Sequence, residues 1–149
     1  MQDTYYFDAT DLVMGRISSH VVPLLLGGKR VVIVNAEKAV VSGNPSATTK
    51  KYLQLRARRV LTNPKRGPFF PRFPDRILRR TVRGMLPYKT TSGREAFKRL
   101  SVFMGVPDKY GETEFQTVPK AKFSFRNRYM TLEDLGRALG WRYGMDQNY

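Results

Sequence analysis

The chain has 149 residues, with 27 Lys and Arg against 12 Asp and Glu for a net charge of +15, one His and no Cys. That length suits a single domain with a real core, and 41% hydrophobic residues is too apolar for disorder throughout. Without Cys there are no disulfides, thiolate metal sites or cysteine nucleophiles, and one His cannot build a multi-His metal site. A charge this high opposes compactness by self-repulsion, so a polyanionic partner is the first expectation.

In chain order, Tyr5 to Ala9 reads as a short strand. Asp11 is a candidate N-cap for a helix in which Val13, Ile17, Val21 and Leu24 recur at helical spacing, with Gly27-Gly28 as its stop. Pro23 inside that pattern predicts a kink or irregular turn. Val31 to Val34 is a continuous β-branched run, as expected of a strand buried on both faces. Ala39-Val40-Val41 predicts another short strand.

Asn44-Pro45 opens a second helix, Asn as N-cap and Pro at the first helical position. It is expected to run to about Leu61, with Leu53, Ala57 and Val60 inward and Lys50, Gln54 and Arg58 outward. Residues 63–74 hold four prolines, which forbid regular helix and stiffen the loop. A third helix is expected from Asp75 to about Leu86. Ser92-Gly93-Arg94-Glu95 matches a capping box for a short helix carrying Ala96, Phe97 and Leu100. Ser101 to Met104 predicts a strand ended by Gly105-Val106-Pro107. Lys120 to Arg126 reads as extended, and a last helix starts at Thr131 with Leu132, Leu135 and Leu139 on one stripe and Gly140 as its stop. Strands alternating with helices argue an α/β fold around a mostly parallel sheet.

The charge is concentrated. Residues 50–99 carry 16 basic groups and two acids, while residues 1–49 balance four against four. Such a block is the footprint of a surface for nucleic acid or an anionic membrane. On the third helix Arg76, Arg80 and Arg83 fall on one face with Arg79 beside them, and Leu78, Val82 and Met85 lie opposite. Arg suits phosphate because its planar fork donates two parallel hydrogen bonds. The Pro-rich loop sets Lys65, Arg66 and Arg72 among Phe69, Phe70 and Phe73, a mixture suited to irregular RNA, although pinning the loop to the core is the favoured role for the rings themselves. Lys50, Lys51, Arg58, Arg59, Lys65, Arg66, Arg72, Arg76, Arg79, Arg80, Arg83, Lys89 and Arg94 are the candidate phosphate contacts. Lys120, Lys122, Arg126 and Arg128, with Phe123, Phe125 and Tyr129, form a second, weaker patch.

Signals for an enzyme are poor. Gly43 to Lys50 lacks the second Gly and the Gly-Lys-Ser/Thr order of a phosphate-binding loop. His20 reads as a structural or surface residue, and the carboxylates are scattered, so no cofactor, metal or small-molecule substrate is expected. The non-basic start Met1 to Tyr5, with no apolar core behind it, predicts a cytoplasmic chain, and the short Val21–Leu26 stretch predicts no membrane span.

Several blocks carry a resemblance. Asp8-Ala9 and Met14-Gly15-Arg16-Ile17-Ser18-Ser19 are followed by Gly28 to Glu37, Ser42-Gly43-Asn44, Arg66-Gly67-Pro68 and Arg72-Phe73-Pro74. Thr81-Val82-Arg83-Gly84-Met85-Leu86-Pro87 is the most specific, and Leu100 to Pro107 closes the set. Over about residues 7–107 the chain resembles the universal large-subunit ribosomal protein family number thirteen, in its archaeal form. Met14, where the family usually has Leu, and Thr91-Ser92-Gly93, where Arg-Gly is commoner, are small departures. The resemblance implies a three-layer α/β/α fold on a small, mainly parallel four-stranded sheet. It also implies binding to 23S rRNA and neighbouring large-subunit ribosomal proteins. The expected organisation is one rRNA-binding domain over residues 1–149, a core at about 5–107 and a C-terminal extension at about 108–149. An extra-ribosomal RNA-binding regulator and, less favoured, a nucleotide-dependent enzyme are the alternatives.

Overall fold

The computed structural model describes residues 3–142; the ends of the expected domain at 1–2 and 143–149 lie outside the described residues. Strand β1 (Thr4–Asp8) pairs in parallel with β2 (Arg30–Val34), which pairs in parallel with β4 (Leu100–Val102), giving the order β1-β2-β4. The β-branched run is thus the central strand, and Val31 to Val34 are all buried. The expected α/β fold with a mainly parallel sheet is present, but among the described residues that sheet has three strands rather than four. Among the described residues, the sheet is extended beyond β1 by Gln116, which exchanges hydrogen bonds with Tyr6 and Asp8. The other predicted strand, β3 (Val40–Ser42), instead pairs antiparallel with β5 (Tyr129–Thr131), a strand without a signal in the sequence.

The register puts Tyr5, Phe7, Val31, Ile33 and Leu100 on one face of the sheet. There they meet Ile17, Val21 and Leu25 of α1 (Met14–Leu26), Ile77, Leu78 and Val82 of α3 (Pro74–Met85) and Ala96 of α4 (Thr91–Lys98) in one core cluster. The other face carries Tyr6 and Phe103, whose rings pack on Tyr110; Tyr6 also meets Phe115. Val118, Ala121, Leu132, Leu135 and Leu139 join the same core from beyond residue 107, the last three on or next to α5 (Leu132–Ala138).

Several element ends differ from expectation. Asp11 does not cap α1: it sits at φ 57°, and Val13 occupies the N-cap with no side-chain bond. Its neighbours explain this, because Leu12 and Val13 are engaged by Lys122 and Val40 as bridging partners. The helix runs through Pro23 and ends where Gly28, at φ 84°, and Lys29 return N–H bonds to the Leu25 and Leu24 carbonyls. The short helix α4 is capped by Thr90, whose Oγ1 accepts from the Gly93 N–H at 3.1 Å, not by Ser92. Leu100 belongs to β4 rather than to α4, and β4 ends at Val102. Residues 119–121 form a 3-10 turn where an extended segment was expected, while Thr131 does cap α5.

Asp8 ties the C-terminal ends of β1 and β2 together. It accepts from the Thr10 N–H (2.9 Å), the Thr10 hydroxyl (2.7 Å) and the Asn35 amide (3.0 Å). Burial pushes its pKa up, but these bonds and the nearby Lys38 charge outweigh burial and hold it below the ordinary carboxylate value. A depressed folded pKa adds stability above the unfolded value that is lost as pH falls through the folded one. Asp8→Ala is therefore expected to cost about 1.5–3 kcal/mol at neutral pH in urea denaturation, and the difference from wild type shrinks on acidification.

Candidate nucleic-acid interface

The basic surface is built from α2 (Pro45–Ala57), the Pro-rich loop behind it and α3. As expected, Asn44 caps α2, its Oδ1 accepting from the Ser46 N–H at 3.1 Å with Pro45 at the first helical position. The helix ends at Ala57, four residues early, and buries no residue fully. Leu53 and Val60 are 47% and 41% exposed and Ala57 is exposed as well, against the expectation that they face the core. The apolar residues of α2 do not share one stripe. Tyr52 and Leu55 instead line a cleft with Phe70, Pro71, Ile77 and Arg80, and Tyr52 packs against the edge of the core.

Two arginines hold the loop between the helices. Arg56 donates to the Phe70 carbonyl at 2.7 Å and Arg80 to the Phe69 carbonyl at 2.6 Å. Within the loop, the Asn63 side chain accepts from the Lys65 N–H at 3.2 Å and starts a 3-10 turn, Pro64–Arg66. Gly67 is buried against the Arg59–Val60 backbone, which brings Lys65 and Arg66 back beside Arg58 and Arg59. Phe70 and Phe73 are half-buried and pin the loop, whereas Phe69 is 69% exposed.

On α3 each arginine lies over an aromatic ring. Arg76 sits 5.2 Å from the centre of Phe73, Arg79 4.7 Å from Phe97, Arg80 4.2 Å from Phe70 and Arg83 5.2 Å from Tyr88. Such contacts are worth about 0.5–1 kcal/mol at exposed sites, and they fix a guanidinium without neutralising it. Pro71, Phe97 and these four arginines line one shallow groove. Burial and the neighbouring Arg83 charge push the Arg80 pKa down, in keeping with crowded cations. The apolar side of α3 is Ile77, Leu78 and Val82; Met85, expected there, is 43% exposed.

Asp75 lies in the first turn of α3 and feels the charges of Arg76 and Arg79. Burial raises its pKa, against the lowering effect of backbone N–H bonds and of Arg76 and Arg79, and its Oδ1 is buried without a hydrogen-bond partner. A raised folded pKa means the ionised form costs stability at neutral pH, a cost that vanishes as pH falls below the ordinary value of 3.8. Asp75→Asn is expected to raise stability at pH 7, by less than about 1 kcal/mol after solvent screening, with no gain near pH 3 in thermal unfolding.

The remaining candidates fall as follows. Lys50, Lys51, Arg58, Arg59, Lys65, Arg66, Arg76, Arg79, Lys89 and Arg94 are exposed, and Arg72, Arg80 and Arg83 are half-buried. In the second patch Lys120, Lys122, Arg126 and Arg128 are exposed. Its three rings form a cluster, with Phe123 5.4 Å from Phe125 and 5.2 Å from Tyr129, and Phe123 itself is buried. Arg126, Arg128 and Tyr129 border a groove with Asn44, Pro45 and Ser46 at the N-terminus of α2, whose dipole also favours anions.

A family model described as "Ribosomal protein L13" matches residues 2–109. The chain belongs to the ribosomal protein L13 family. A protein of Methanococcoides burtonii named "Large ribosomal subunit protein uL13" is 46% identical over 138 residues, 91% of this chain and 97% of its own length. Proteins of the same name from Archaeoglobus fulgidus (43% over 143 residues, 94% of this chain and 90% of its own) and Methanocaldococcus jannaschii (43% over 140 residues, 91% and 97%) are similar. The L13 match takes in β1 through β4 and hence the arginine helix. Sequence reasoning missed Arg56, which fastens the loop, and the rings of Phe97 and Tyr88 beneath Arg79 and Arg83. Among the described residues no helix is long and apolar enough to cross a membrane, and no metal-ligating cluster is present.

Proposed function

We propose that the chain binds 23S rRNA through α2, the Pro-rich loop and α3, and holds that RNA in place beside neighbouring ribosomal proteins as the subunit assembles. As an L13 protein it is a structural constituent of the large ribosomal subunit in the cytoplasm, and not an enzyme. The observation that carries the RNA reading is the set of four arginines on α3, each held over an aromatic ring along one groove. Each contact with a phosphate would release a condensed cation and let RNA segments approach, and the exposed Phe69 suits an unpaired base. Sedimentation of cell lysate through sucrose gradients in low and high salt is the test. Co-migration with the large subunit through moderate salt is expected. A peak at the top of the gradient in both salts would overturn the proposal and favour a regulator acting off the ribosome.

A further inference from the structure

The sheet face opposite α1 and α3 holds a second basic concavity. It lies at the N-terminal ends of the parallel strands and is lined by Tyr6, Arg30, Lys98, Arg99, Lys109 and Tyr110, among other residues, none of them acidic. Arg30, Lys98 and Lys109 are exposed. Arg99 is half-buried and donates from one guanidinium nitrogen to the Leu25 carbonyl at 2.8 Å, while its Nε is buried with no acceptor in the protein. Lys109 lies over Tyr110, whose ring packs on Tyr6 at 5.7 Å.

We infer that this cleft binds the phosphates of a second RNA segment, so that the chain bridges two stretches of RNA from opposite sides of its sheet. The inference rests on the RNA reading above and extends it. Small ligands of α/β sheets bind at the carboxyl ends of the strands, and this cleft is at the other end. Lys98, Arg99 and Lys109, spread around an open concavity, fit a run of phosphates.

The test uses the full chain, a 23S rRNA transcript and binding measured across a salt series. Each lost phosphate contact lowers the slope of log affinity against log salt by about 0.7–0.9. The double variant Lys98→Gln/Lys109→Gln, both exposed positions, is expected to lose about 1.5 in slope with an unchanged circular dichroism spectrum. That loss should add to the loss in an Arg76→Gln/Arg79→Gln/Arg83→Gln variant, since the two sets are separate. A wild-type slope in the double variant with a reduced slope in the arginine variant would overturn the second surface and leave the first reading standing. Wild-type slopes in both would overturn both. A wild-type slope in the double variant, together with loss of a neighbouring protein from reconstituted subunits, would overturn the inference in favour of an acidic protein partner.

Discussion

Replacing Arg76, Arg79 and Arg83 together with Gln is expected to weaken rRNA binding by about 100-fold and to lower its salt slope by about 2–3, with the fold retained. The affinity figure follows from about 1 kcal/mol net for each lost contact and 1.4 kcal/mol per tenfold; the slope follows from counterion release. Arg80 is left in place because its bond to the Phe69 carbonyl holds the loop, so its loss would mix binding with folding. The three that are changed touch rings, worth about 0.5–1 kcal/mol each, and removing like charges from one helix offsets part of that loss. Filter binding between low and moderate salt reads the effect, and thermal unfolding checks the fold. Wild-type affinity and slope in a folded triple variant would show that this helix face does not meet RNA.

The features legible in the sequence are those that a short stretch decides by itself. The β-branched run Val31–Val34 could be comfortable only where both faces are covered, and it is the middle strand. Asn44-Pro45 carries its own cap. The spacing of Arg76, Arg80 and Arg83 against Leu78 and Val82 needs nothing beyond helical geometry. What stayed hidden depends on partners far along the chain. The strand pairing Val40–Ser42 with Tyr129–Thr131 joins segments about ninety residues apart, with no turn between them to announce it. Leu53 and Val60 look like core residues until α2 is seen to bury no residue fully and to meet the core through Tyr52. The same holds for the site. Its cations were found from charge density, but the rings that fix two of them, Phe97 and Tyr88, come from beyond the helix. The basic cleft is assembled from four separate segments, none of them conspicuous alone.

Two glycine substitutions with the same chemistry are expected to move stability in opposite directions. Gly→Ala inside a helix gains about 0.5–1 kcal/mol from propensity alone. At Gly84 on α3 an added Cβ meets nothing within 4 Å, so Gly84→Ala should show that gain. At Gly93 the same Cβ would stand 2.0 Å from the Pro87 carbonyl oxygen and 2.4 Å from its carbon. That oxygen cannot retreat cheaply. It accepts from the Thr90 N–H at 3.0 Å and the Thr90 hydroxyl at 2.7 Å, and that hydroxyl caps α4 through Gly93 itself. Shifting the turn therefore adds a lost cap, about 1 kcal/mol, to overpacking of about 1–3 kcal/mol. Gly93→Ala should cost about 2–3 kcal/mol net in urea denaturation. The turn also carries Tyr88, which underlies Arg83 and packs edge-on against Phe97, the ring beneath Arg79. Gly93→Ala should therefore weaken rRNA binding as well, whereas Gly84→Ala should leave it unchanged. If both variants gained stability equally, the close packing of Pro87 on α4 would be wrong, and with it the account of how the arginine face is held.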